Sequence, residues 1–202
     1  VDPDQCATWD DPARSMLGVA QEQWLDQRFA QAIQSGAPRW NLVGQQTLLC
    51  PRDLRPGPQR FFWNDGWDGY PAARQRLLQS LEKHQVPNAV FLGGDVHENW
   101  VGHVMPSQAK QSGEALAVEF CGTSITSKSG RSNERLPTVL AENPHFVFAD
   151  VERKGYGLLD LTHQQLKVQL RVVDDVTQRQ TQIETLAAFE VTPGRSQITR
   201  VA

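Results

Sequence analysis

Residues 88–100 constrain the fold more than any other stretch of the chain, and they read Asn-Ala-Val-Phe-Leu-Gly-Gly-Asp-Val-His-Glu-Asn-Trp. The apolar run 89–92 has the length and composition of a buried strand, and the two glycines after it allow a tight turn. Asp95, His97 and Asn99 follow at every second position. Open α/β folds bind ligands beyond the carboxyl ends of their strands. A carboxylate and an imidazole at this place therefore predict a site for a metal ion or a phosphoryl group, with a helix cap beside a surface histidine as the alternative.

The patterns on either side of this stretch alternate between helix and strand. Apolar residues recur at helical spacing over residues 17–33, residues 40–49 read as a strand, and Pro71 begins a helix that runs to about residue 84. That helix leads back to the strand at residue 89, and the order strand, helix, strand predicts a parallel pair with a right-handed crossover. Residues 115–120 read as a further strand, whereas residues 101–113 show no regular pattern.

The last part of the chain is dominated by strands. A short helix over residues 136–143 precedes a strand at residues 146–150. Residues 155–161 and 165–172 are strand-like on either side of a short polar turn, and the second alternates apolar and polar side chains. This pattern predicts an antiparallel hairpin with one face in water. Residues 183–191 form another candidate strand, so the chain is expected to be an α/β protein.

Three further stretches carry side chains that bear on the site. Residues 61–71 mix aromatic residues with Gly and Asp, and we expect an ordered loop near the site that either lines a substrate mouth or forms a structural plug. The hydroxyl-rich turn 121–127 either bonds phosphate or orients the Asp95 loop; a serine nucleophile is not expected there, because a G-x-S-x-G elbow is absent. His103 is a candidate second ligand. Gln45 and Gln46 either bind a ligand or satisfy the neighbouring backbone.

Composition excludes several classes of protein. Of the 202 residues, 39% are hydrophobic and 21% are charged, which is typical of a globular chain rather than a disordered one. No apolar run is long enough to span a bilayer. The net charge of −3 comes from interspersed acidic and basic residues and gives no electrostatic case for binding nucleic acid. The three cysteines have no metal-type spacing, and we expect free buried thiols.

Taken together, these segments resemble the C-terminal part of the PhoD-like alkaline phosphatases, a family within the calcineurin-like metallophosphoesterases. The Trp-Asp-Gly-Tyr and Gly-Asp-Val-His blocks carry the resemblance most specifically, and other matching segments follow the family's order along most of the chain. The matching segments are residues 14–18 with Gln21, Trp24 and Leu25, Trp40-Asn41 with Gln45-Gln46, residues 65–71 except position 66, with Arg74, residues 94–100 except position 98, residues 119–127 except position 121, residues 143–145 and Gly155-Tyr156.

The resemblance implies a four-layer α/β sandwich around two sheets, with a mixed sheet, a C-terminal antiparallel hairpin and metals at the strand ends. It implies a cluster of Fe3+ and Ca2+ that hydrolyses phosphate monoesters and diesters. Asp95 would be a metal ligand, and His97 would be the catalytic residue on the metal-phosphate cluster, as a ligand or as an imidazolium beside phosphate. Asn99, Thr123 and Ser124 would lie around these two residues. Asp68 and Tyr70, in the aromatic loop, would also line the site.

The resemblance covers only part of a full enzyme. The family's other metal ligands, which include a shared aspartate, a cysteine, a tyrosine and an asparagine, come from an N-terminal half whose motifs are not found in this sequence. We therefore expect residues 1–202 to be the C-terminal portion of a single catalytic domain, inactive by itself. The resemblance also implies a periplasmic or secreted protein.

Two other classes of function stay open at this point. The first is a non-enzymatic folded domain that self-associates, for example as a homodimer, because half of a sandwich exposes strand edges and apolar surface. The second is a metal-independent hydrolase that uses Asp95 and His97 as an acid-base pair.

Overall fold

The structure is a computed structural model that describes residues 1–34, 40–106 and 113–202. Within these residues the chain forms a mixed sheet, an antiparallel sheet and helices that pack on the mixed sheet. The α-helices are α1 (Val19–Gln34), α2 (Pro71–Lys83) and α3 (Leu136–Glu142). The strands are β1 (Asn41–Gly44), β2 (Ala89–Gly93), β3 (Asn99–Val104), β4 (Ala117–Cys121), β5 (Phe146–Asp150), β6 (Lys154–Leu161), β7 (Leu166–Val173), β8 (Ile183–Val191) and β9 (Thr199–Arg200).

The mixed sheet has the strand order β1-β2-β4-β3-β5. Strands β1, β2 and β4 are parallel, whereas β3 runs antiparallel to both β4 and β5. The parallel pair that α2 connects confirms the prediction from the order strand, helix, strand. Because β2 and β4 end at the same edge of the sheet, the turns that follow Gly93 and Cys121 are brought together there.

The second sheet is antiparallel, with the order β6-β7-β8-β9, and it confirms the predicted hairpin. Buried side chains alternate along β7, as the sequence pattern requires. Two cores result, one on each face of the mixed sheet. Phe91 belongs to the core under the helices, while Val118 and Phe189 belong to the core between the two sheets. The described residues therefore form three layers: helices, mixed sheet and antiparallel sheet.

One strand prediction was wrong in length, and one strand was not predicted. Strand β1 ends at Gly44 instead of continuing to Leu49, because the backbone amides of Leu49 and Cys50 bind the buried carboxylate of Glu119 at 2.7 and 2.8 Å. Strand β3 covers the beginning of segment 101–113, for which the sequence showed no regular pattern, while residues 107–112 of that segment lie outside the described residues. Its residues are almost all buried, so no alternation of polar and apolar positions marks it in the sequence.

The three cysteines are free, as predicted, with Cys50 and Cys121 buried. None of the helices in the part of the chain that the structure describes is both long enough and apolar enough to cross a membrane.

Candidate functional site

The turn after β2 has a strained backbone. A Cβ atom at Gly93 would lie 2.2 Å from the carbonyl oxygen of Thr47, so this position accepts only glycine. Asp95 and His97 have positive φ angles of 67° and 59°. The left-handed region costs an L-residue about 1–2 kcal/mol. Two such residues in one short turn persist only where the surrounding structure holds them in place.

Strand β4 provides part of that support. The amide of Gly122 donates to the carbonyl of Gly93 at 3.0 Å, and the thiol of Cys121 donates to the carbonyl of Gly94 at 3.4 Å. Within the turn, the amide of Val96 donates to the carbonyl of Gly94 at 2.7 Å. The first half of the turn is therefore fixed by one backbone and one side-chain hydrogen bond from the end of β4, and by one hydrogen bond within the turn.

The second half of the turn is held through the carbonyl oxygen of His97. The Thr123 hydroxyl donates to it at 3.1 Å and the Lys154 ammonium donates to it at 2.8 Å. The amide of Thr123 in turn donates to the Asn99 side-chain oxygen at 3.2 Å. Of the two roles that the sequence left open for the hydroxyl-rich turn, the bond from Thr123 to His97 favours the orienting one, and the role of Thr123 at the site stays a prediction. Ser124 is half-buried, and its hydroxyl donates to the carbonyl of Ser127.

The side chains of Asp95 and His97 are left available by this arrangement. Asp95 is exposed, and no residue that the structure describes makes a hydrogen bond or ion pair with its carboxylate. The His97 ring is half-buried, with Nδ1 3.4 Å from the carbonyl oxygen of Lys128. Asn99 is 1% exposed, and its Nδ2 has no partner among the described residues. The site thus presents an unneutralised carboxylate, an imidazole and a buried donor.

Glu98 belongs to a buried charged cluster that was not predicted from the sequence. Its carboxylate binds the Arg52 guanidinium, accepts a 2.8 Å hydrogen bond from Trp100 Nε1 and lies 3.5 Å from Arg131. Arg52 also stacks over the Trp100 ring at 5.0 Å. No local pattern marks this cluster, because Arg52 and Glu98 are 46 residues apart in the chain.

The aromatic loop is ordered, and its central residues are structural. Trp67, Asp68 and Gly69 are buried in a 3₁₀ turn. The Asp68 carboxylate accepts hydrogen bonds from the Arg74 guanidinium at 2.6 Å and the Arg52 amide at 3.1 Å. Tyr70 lies under the Arg14 guanidinium at 4.5 Å. No described hydrogen bond joins Asp68 or Tyr70 to Asp95 or His97, so their role as site-lining residues stays a prediction.

Two other predicted candidates have structural partners. The Gln45 side chain donates to the carbonyl of Thr47 and accepts from the Trp67 ring N–H at 3.0 Å. Gln45 therefore bonds to neighbouring backbone, one of the two predicted alternatives, and also to a side chain. His103 lies on β3 beside Val118, toward the other end of the sheet, and its Nε2 accepts from the Ile198 amide at 3.4 Å. His103 is therefore not placed as a ligand beside Asp95.

The described residues do not form a complete metal site. A carboxylate oxygen suits hard cations such as Ca2+, and an imidazole suits iron. However, within residues 1–34, 40–106 and 113–202 there is no group of three or more His, Cys, Asp or Glu side chains that could hold a metal ion. Asp95 and His97 fit as a minority of the ligands of a cluster, and no reaction step can be assigned to a metal on this set alone.

The fold and the site together define an α/β sandwich that presents an acidic turn beyond the end of a parallel strand. The sequence model of the PhoD-like phosphatases matches residues 1–170, and the chain belongs to that family. Alkaline phosphatase D of Bacillus subtilis (strain 168) is 34% identical over 180 residues, which are 88% of this chain and 30% of that protein.

A solved structure also matches the chain. The structure described as "Structure of PhoD" superposes with a TM-score of 0.85 and 32% sequence identity, over 95% of this chain and 36% of that chain. This similarity confirms the predicted fold class, with its mixed and antiparallel sheets. The chain spans about a third of the length of these two relatives.

Proposed function

We propose that this chain supplies Asp95 and His97 to the metal and phosphate cluster of a phosphoric ester hydrolase, and that other segments of a longer chain supply the remaining ligands. The observation that carries the proposal is the Asp95 carboxylate, which is exposed and unneutralised by any described residue on a turn with two left-handed residues. Strain and an uncompensated charge at one place are typical of a site that awaits a ligand.

In this proposal Asp95 contributes negative charge that holds hard cations, which the family resemblance suggests are Ca2+ and Fe3+. His97 either stabilises the phosphate charge as an imidazolium or binds a metal as the neutral ring. Bound cations would neutralise phosphate oxygens and act as Lewis acids. The substrates are phosphate monoesters or diesters, in line with the phosphatase relatives. Thr123 and Asn99 keep the turn in place and do not themselves take part in bond making.

We further propose that residues 1–202 are the C-terminal portion of one catalytic domain and are inactive alone. The positions of β1 and β6 support this, because both are edge strands among the described residues and an edge strand can pair with a further strand. The resemblance also leads us to propose a periplasmic or secreted protein, which cell fractionation with an antibody to the chain would test.

The test compares residues 1–202 with the full-length protein, using p-nitrophenyl phosphate and bis(p-nitrophenyl) phosphate in the presence of Ca2+ and Fe3+. We expect turnover by the full-length protein, its loss on Asp95→Ala, and no turnover by residues 1–202. Asp160→Ala is the matched control, because Asp160 is an exposed carboxylate on the antiparallel sheet. Robust turnover by residues 1–202, or a fully active Asp95→Ala enzyme, would refute the proposal.

A self-associating domain is the second candidate, and one observation favours it. Tyr156 and Leu158 on edge strand β6 are 44% and 49% exposed, which is apolar surface suited to pairing with a second copy. The acid-base alternative has no comparable support, since no described hydrogen bond joins Asp95 to His97; metal analysis of the active protein would test it.

A further inference from the structure

Lys154, the first residue of β6, has an environment that is uncommon for a lysine. The residue is only 5% exposed, and its ammonium donates a 2.8 Å hydrogen bond to the carbonyl oxygen of His97. Lysine is among the residue types that are almost never fully buried unless they are paired. Burial lowers the pKa of Lys154, while the nearby carboxylates of Asp150 and Glu98 favour its charged form. The carbonyl oxygen of His97 is therefore the hydrogen-bond partner of this buried lysine.

That partner is the atom on which the second half of the turn depends. The carbonyl of His97 belongs to a residue with φ 59°, and it accepts from both Lys154 and Thr123. Thr123 is itself held on both sides. Its hydroxyl lies 3.1 Å from the carbonyl oxygens of both His97 and Arg153 and shares its single proton between them, and its amide donates to Asn99. Two donors on one carbonyl fix the orientation of the peptide plane that follows His97. Strained residues persist only where such contacts over-determine them.

The two donors come from different layers of the fold. Thr123 follows β4 of the mixed sheet, whereas Lys154 begins β6 of the antiparallel sheet. The amide of Gly155 adds a further link, because it donates to the carbonyl of Ser124 at 3.0 Å. The start of the antiparallel sheet is therefore bonded both to the turn that carries His97 and to the hydroxyl-rich turn beside it.

We propose that Lys154 is a positioning residue for the site: its ammonium, together with the Thr123 hydroxyl, locks the Asp95–His97 turn in the left-handed form that aims both side chains at the ligand. Lys154 is too buried to touch a substrate, so it acts only through the backbone of His97. The inference rests on the proposed function for its effect on turnover, but its effect on the turn does not depend on that function.

The main variant is Lys154→Met, which keeps the length and apolar stem of the side chain and removes its donor. In the full-length protein we expect kcat to fall by about 10- to 100-fold, the range found when groups that orient metal ligands are removed. KM for p-nitrophenyl phosphate should change much less. Lys154→Arg, which retains a donor and the charge, should recover part of the loss. Lys167→Met, an exposed lysine on β7, is the matched control and should keep wild-type kcat.

Amide hydrogen exchange gives the second readout and does not require activity. We expect Lys154→Met to speed exchange in residues 95–99 while exchange in β7 and β8 stays as in the wild type. Thr123→Val removes the other donor and should produce the same local change, with Thr123→Ser close to wild type; this pair decides the matter if Lys154→Met fails to fold.

The two proposals fail in different ways. Absence of turnover by the wild-type full-length protein would refute the hydrolase function. The exchange data would still test the positioning role of Lys154. Wild-type exchange in residues 95–99 of Lys154→Met, or faster exchange spread evenly over the antiparallel sheet, would overturn the positioning role.

Discussion

The Arg52 guanidinium and the Glu98 carboxylate form an ion pair in which the side chains are only 4% and 1% exposed. Arg52 follows the irregular segment after β1, and Glu98 lies between His97 and Asn99 of the candidate site. The pair therefore ties the segment after β1 to the residue that directly follows His97.

Arg52→Met should be strongly destabilising, because it leaves the carboxylate of Glu98 buried without its main partner. Breaking one side of a buried pair typically costs about 3–5 kcal/mol. Urea unfolding should show this loss in the free energy of unfolding, while the dependence of that free energy on urea concentration stays unchanged. The control is Arg55→Met, whose partly exposed pair with Asp2 spans 3.5 Å and should be worth less than about 1 kcal/mol. Equal effects of the two replacements would contradict the prediction.

Asp95→Gly should separate stability from function. Glycine adopts the left-handed region without the penalty that Asp95 incurs at φ 67°, so the free energy of unfolding should stay the same or rise by up to about 1 kcal/mol. Phosphatase activity of the full-length protein should be lost. Asp160→Gly, in the extended backbone of β6, should instead lower stability by about 0.5–1 kcal/mol. A marked loss of stability in Asp95→Gly would show that the turn is not strained.

His145 should make the fold sensitive to acid. Burial, with a contribution from the nearby charge of Arg74, lowers the pKa of His145 from 6.5 to about 4, although its Nε2 contacts the carbonyl of Pro51 at 2.9 Å. Between these values the unfolded chain binds a proton that the folded chain does not, so stability falls as the pH drops. We expect a loss of up to about 2 kcal/mol between about pH 6.5 and pH 5.

The measurement is urea unfolding at both pH values. His145→Gln should abolish this part of the pH dependence, because its amide can still donate to Pro51 but does not titrate. His163→Gln, in the exposed turn between β6 and β7, is the matched histidine replacement and should retain it. If the His145→Gln protein kept the full wild-type pH dependence of stability, the loss of stability in acid would not come from His145.

Glu119→Gln should loosen the segment after β1. Glu119 is 0% exposed and accepts the amide protons of Leu49 and Cys50, one on each oxygen. A glutamine turns its NH2 group toward one of these amides, and a buried donor left unpaired costs about 1–3 kcal/mol. Exchange of the Leu49 and Cys50 amides should become faster. Glu190→Gln, on the surface of β8, should change stability by less than about 1 kcal/mol, and similar values for both would refute the prediction.

Leu158→Lys should reduce self-association of residues 1–202. A charge on an edge strand opposes pairing with another edge, and Leu158 is exposed on β6. Sedimentation velocity should show dimers or larger species for the wild type and a shift toward monomer for the variant. Val19→Lys, at the exposed start of α1, should not change the distribution. A monomeric wild type would argue against association through this edge.

The sequence was sufficient to predict the parallel pair, the hairpin and the turn that carries Asp95 and His97, because each depends on a local pattern: a buried apolar run, clean alternation or two adjacent glycines. The remaining parts depend on contacts between distant residues. The Arg52–Glu98 pair and the bond from Lys154 to His97 join positions 46 and 57 residues apart, and no local pattern reports such partners. The same reason explains β1, which was predicted too long because Glu119 is 70 residues away from Leu49.

The close approach of Gly93 to Thr47 has a consequence for protein engineering. Because no side chain fits at position 93, and because Arg52, Thr123 and Lys154 reach the turn from three separate places, the segment 93–99 is not a portable module. Transplanting these seven residues into another α/β sandwich would transfer the sequence of the motif without its backbone conformation. A successful graft would need to carry the Thr47 segment and all three supporting side chains with it.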